Sequence, residues 1–119
     1  MADLMDKCKN QIQIIGALKN KRFSRTVKGV SFLNLFINTK TKRGSFFSIN
    51  VTFWDKIAEK LNDEIETILP DIEDGDSLDL NDTIFLKIAG ELRENMWINN
   101  KKIEVKQMQI TGKKYRIIE

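Results

Sequence analysis

The sequence predicts an all-β domain, a β-barrel of five strands with one helix between the third and fourth. Three observations carry that prediction. Apolar residues recur at period two in five separate segments. One segment, directly after residue 54, switches to helical spacing. Only one proline and six glycines punctuate 119 residues of 41% hydrophobic content, enough apolar matter for a single core. Residues 1–119 therefore read as one domain, with no tandem repeat and no low-complexity linker.

The first strand covers residues 10–18, with Ile12 and Ile14 at alternate positions. Gly16 inside it marks a bulge or sharp bend. Residues 19–29 read as a polar, basic connection. The second strand, residues 30–39, is apolar on both faces at Phe32, Leu33, Leu35, Phe36 and Ile37. Residues 40–44 make a short basic hairpin loop. The third strand, residues 46–54, sets Phe47, Ile49, Val51 and Phe53 on one unbroken inward face. Its other face, Phe46, Ser48, Asn50, Thr52 and Trp54, has a polar centre with an aromatic at each end. A solvent-facing strand seldom ends that way without a use; the bland alternative is a subunit contact or an overlying loop.

Asp55 reads as the N-cap of a helix that carries Ile57, Leu61, Ile65 and Ile68 or Leu69 at helical spacing, and Pro70 ends it. Residues 71–82 form an acidic connection. The fourth strand, residues 83–89, turns Ile84, Leu86 and Ile88 inward, and the chain stays extended from Gly90 to Ile98. Asn99-Asn100 tolerates positive φ and supports a tight type I′ hairpin. Residues 101–110 return as the fifth strand, and residues 115–118 form an apolar end. Five strands and a helix in this order match the OB-fold, a small Greek-key barrel.

The net charge of +3 hides a strong asymmetry. Ten Lys or Arg and no acid lie between Asp6 and Asp55, whereas residues 55–82 carry eleven acids against Lys56 and Lys60. So one-sided a block points to an acidic partner, most often nucleic acid, with a solvated basic face as the alternative. The absence of histidine removes Ser-His-Asp and Cys-His nucleophilic systems and most zinc sites. The acids of residues 71–82 fail the calcium-loop template, because Gly75 in sixth place puts Pro70 first and Asn81 twelfth. Nothing in the chain calls for a catalytic group, a metal or a cofactor. Cys8, the lone cysteine, excludes an intrachain disulfide, suits a reducing cytoplasm and reads as an incidental thiol. No stretch approaches the roughly 18 apolar residues of a membrane span, and residues 1–6 do not read as a signal peptide.

Four blocks in order resemble the bacterial and phage single-stranded DNA-binding protein family. They are Asn10-Gln-Ile-Gln-Ile-Ile-Gly16-Ala-Leu18, Gly29-Val-Ser-Phe-Leu-Asn34-Leu-Phe-Ile-Asn-Thr39, Val51-Thr-Phe-Trp54-Asp-Lys56-Ile-Ala58-Glu59 and Gly90-Glu-Leu92-Arg93-Glu-Asn-Met-Trp97. The resemblance implies an OB-fold that wraps single-stranded DNA, commonly as a dimer or tetramer, in replication or recombination. It places Trp54 and Trp97 at positions where the family stacks bases. Ser48 stands where the family has another tryptophan, and the nearby Phe46 is the expected substitute. The family's flexible acidic-tipped tail has no counterpart before Glu119, so the chain resembles a tail-less phage- or plasmid-type member, expected in the cytoplasm of a bacterial cell or infected host.

Sequence-neutral capture of a single strand needs aromatic faces for the bases and cations for the phosphates. Trp54, Trp97 and Phe46 are the expected platforms. Lys40, Lys42, Arg43, Lys87 and Arg93 are the expected phosphate track, with Lys21, Arg22 and Arg25 reaching from the first connection and Asn34 placed for a base or sugar. Partners expected are single-stranded DNA, further copies of the chain and replication or recombination proteins. The alternative is an OB module that binds RNA or serves as a primosome or recombination adaptor.

Overall fold

Strands and helix follow one another in the predicted order. A computed structural model describes residues 8–118; residues 1–6, read above for a signal peptide, and Glu119 lie outside them. The elements are β1 (Ile12–Arg25), β2 (Ser31–Lys40), β3 (Phe46–Trp54), α1 (Asp55–Ile68), a single 3-10 turn (Leu80–Asp82), β4 (Phe85–Ile98) and β5 (Glu104–Ile118). They close a barrel in the order β1-β2-β3-β5-β4, with β4 paired back to β1. Every seam is antiparallel except β3–β5, which is parallel and joined at only two pairs, Val51↔Ile110 and Thr52↔Thr111. This is the OB-fold arrangement.

The core follows from the alternation. Leu33, Leu35 and Ile37 of β2, Val51 and Phe53 of β3, Leu86 and Ile88 of β4, and Ile110 of β5 are buried. α1 adds Ala58, Leu61 and Ile65, spaced three and four apart so that one stripe meets the barrel. Among the described residues no helix is long and apolar enough to cross a membrane.

Four local expectations are corrected. β1 does not stop at Leu18. Its register shifts between Leu18 and Asn20, and it then pairs with β2 as far as Arg25↔Ser31. The polar composition of residues 19–25 hides a strand because its inward face holds only Phe23 and Lys21, whose charge is met from outside the sheet. Gly16 is not the bulge: it sits in regular register opposite Leu86, where a Cβ would come within 2.4 Å of the Asn38 carbonyl oxygen. Asp55 does not cap α1 through its side chain. β3 runs directly into the helix, with Trp54 extended before it and Asp55 turning the chain at φ 62°. The Asn99-Asn100 turn is wider than a two-residue I′ loop. Asn99 closes it, its Oδ1 accepting from the Lys101 and Ile103 amides, while Lys102 takes the left-handed conformation at φ 60°. β5 accordingly starts at Glu104 and continues unbroken through the predicted apolar end.

Candidate nucleic-acid interface

Beyond the Leu92↔Ile110 pair, β4 and β5 leave the barrel as a two-stranded arm, paired from Arg93↔Gln109 to Ile98↔Glu104. Strand alternation divides the arm. Arg93, Asn95 and Trp97 share one face with Gln107 and Gln109; Glu94, Met96 and Ile98 share the other with Lys106 and Met108. The first face looks onto the outer surface of β2 and β3. There the register sets Phe32 against Trp54, Asn34 against Thr52 and Phe36 against Asn50.

Between arm and sheet runs an open groove of about 470 Å³, lined by Phe32, Asn34, Asn50, Thr52, Trp54, Arg93, Asn95, Trp97, Gln107 and Gln109. Phe32 and Trp54 lean together with ring centroids 5.5 Å apart and planes tilted by 42°. Trp54 nevertheless keeps 38% of its surface exposed and Trp97 keeps 41%. Neither indole is a core residue. The Thr52 hydroxyl donates to Asn34 Oδ1 at 2.6 Å. Arg93 is exposed and makes no ion pair with another described residue. Glu94, the neighbouring acid, points to the opposite face, where Lys106 Nζ lies 3.8 Å from it.

The structure thus gathers Trp54, Trp97, Arg93 and Asn34 in one concavity, and scatters the remaining candidates. Phe46, Lys40, Lys42 and Arg43 lie at the far end of the same β2–β3 surface, all exposed. With Phe46 eight residues from Trp54 along β3, the two ends are about 27 Å apart at the strand rise. Phe46 therefore lies outside the groove, as does Ser48, the position it is expected to stand in for. It borders a separate apolar concavity of about 820 Å³ with Ile15, Phe47, Leu80 and Phe85. Lys87 is half-buried on the outer face of β4, between Ile15 of β1 and Arg116 of β5.

The first-connection cations are engaged elsewhere. Lys21 is 1% exposed, with its Nζ 3.1 Å from Glu66 Oε1 and 2.9 Å from Asp74 Oδ1. Far from reaching for a phosphate, it anchors the acidic connection. That connection also hydrogen-bonds to β1 through Gly75 N to Lys21 O and Leu78 N to Lys19 O. The Arg22 guanidinium lies over Gly75, and Arg25 Nη2 stands 3.8 Å from Glu59 Oε1.

Composition-based reasoning missed Phe32, Asn50, Asn95, Gln107 and Gln109. The signal for Phe32 was present: with Leu33, Leu35 and Ile37 inward, the intervening phenylalanines had to face out. The amides carried no such signal, because polar residues on an outer strand face are ordinary. Comparison with models of known protein families and with curated proteins finds no match to this chain.

Proposed function

We propose that this chain is a non-enzymatic, sequence-tolerant single-stranded DNA-binding protein that coats and protects unwound strands in replication or recombination. The observation that carries the reading is the groove itself. Two indoles, a leaning phenylalanine and an uncompensated guanidinium line one surface open to solvent. Every base offers a π face, so stacking on such rings is worth roughly 1–3 kcal/mol per base whatever its identity. The groove is open to solvent and draws its lining from four strands, β2, β3, β4 and β5. The four sequence blocks that resemble the single-stranded DNA-binding family support the same conclusion.

The deciding experiment is a tryptophan-fluorescence titration with oligo-dT, duplex DNA and oligo-rU. Single-stranded DNA should quench far more strongly than duplex. Trp54→Ala and Trp97→Ala should each weaken oligo-dT binding by roughly 1–3 kcal/mol while leaving thermal unfolding near that of the wild type. Unfolding of both variants, or equal quenching by duplex, would refute the reading. Tighter binding of oligo-rU would favour an RNA-binding module. An adaptor role draws on the apolar concavity around Ile15, Phe47 and Phe85, and it predicts weak quenching by every nucleic acid.

A further inference from the structure

Resting on that reading, we infer that the groove does more than stack bases: it hydrogen-bonds base edges, favouring bases that carry a carbonyl oxygen. A strand binder indifferent to sequence needs only rings and cations. This groove adds five carboxamides, those of Asn34, Asn50, Asn95, Gln107 and Gln109. Their arrangement at the centre is biased towards donors. Asn34 Oδ1 is already taken by the Thr52 hydroxyl, which leaves its two Nδ2 hydrogens to a ligand. Asn50 Oδ1 is shut away from solvent without a hydrogen-bond partner, so its Nδ2 is the end left to serve the groove. Arg93 supplies further N–H donors and no acceptor. A donor-rich strip between Trp54 and Trp97 complements the carbonyl oxygens of thymine, cytosine and guanine. A carboxamide reads adenine by donating to a ring nitrogen and accepting from the amino group; with Asn34 Oδ1 engaged and Asn50 Oδ1 buried, that second bond is lost, so adenine fits these two worst.

The test scans a short oligo-dT, replacing one thymine at a time by its 2,4-difluorotoluene isostere, which keeps the outline and stacking surface but lacks the carbonyls. Binding is read by tryptophan quenching at fixed salt. One or two positions should lose about tenfold or more in affinity, and adenine at those positions should lose as much. In Asn34→Ala those positions should become indifferent to the isostere, whereas in Trp97→Ala the dependence should persist on a weaker background. Equal affinity for every isostere-substituted strand, with the unmodified strand binding tightly, would overturn this inference and leave strand binding intact. No binding of unmodified oligo-dT would overturn both. The wild-type scan decides the matter even if Asn34→Ala does not fold.

Discussion

Lys21 and Arg93 show how little a cation's place in the sequence says about its task. Lys21 belongs to a basic segment and Arg93 stands between Glu91 and Glu94, yet Lys21 is the one sealed between Glu66 and Asp74, while Arg93 makes no ion pair with another described residue. Their alanine variants should therefore separate. Lys21→Ala strips the charge from a buried site and releases the acidic connection, so it should cost on the order of 2–3 kcal/mol in urea unfolding. Arg93→Ala should leave unfolding unchanged and weaken DNA binding. Tyr115 makes a prediction of its own. Burial first, then the hydrogen bond to Glu64 (2.8 Å) and that carboxylate's charge, push its phenol well above the ordinary value of 10.0. The folded state holds the proton after the unfolded state has released it. Its contribution is complete below pH of about 10 and is lost as the pH rises beyond. Tyr115→Phe should flatten the alkaline fall in melting temperature.

At the scale of elements, the arm depends on how β4 and β5 leave the barrel. Gly112 sits where a Cβ would lie 2.4 Å from the Phe53 ring, a buried side chain with no room to yield. Gly112→Ala should cost roughly 1–3 kcal/mol by overpacking and blunt strand binding by tilting the arm, both readable by thermal melting and titration. The strands of the barrel were legible because their apolar residues alternate, as at Val51 and Phe53 or Leu86 and Ile88. The arm was legible only as extended chain, since both its faces are exposed and alternation of burial has nothing to act on. The strand character of residues 19–25 was hidden for another reason: the long-range acids that satisfy Lys21 lie 45 and 53 residues away. Asn99-Asn100 predicts a two-residue turn, but the Asn99 side-chain oxygen holds a wider one.

For the molecule as a whole, charge is sorted by surface. The acidic connection is bound to β1 near Lys19, Lys21 and Arg22, and the expected contacts of a strand are Lys40, Lys42, Arg43, Lys87 and Arg93, of which Arg93 lines the groove. Five contacts at roughly −0.7 each predict that log affinity falls against log salt with a slope of about −3.5. Titrations at several salt concentrations measure it directly, and a slope near zero would mean that these cations do not meet phosphates. The reverse face of the arm exposes Met96 (57%), Ile98 (73%) and Met108 (50%). If further copies of the chain assemble there, Ile98→Asp should lower the mass seen by light scattering without changing the fold.

The barrel is clasped at one place by two rungs, Val51↔Ile110 and Thr52↔Thr111, and the groove lies across that clasp. Thr52 and Trp54 stand on one bank, Gln109 and the arm on the other. Whatever settles there holds both banks at once, as a staple holds a torn hoop. The amides around Ile110 and Thr111 should then exchange with deuterium soonest in the empty protein and gain the most protection when it is loaded. Saturation a hundredfold above the dissociation constant would stabilise the fold by about 2.7 kcal/mol.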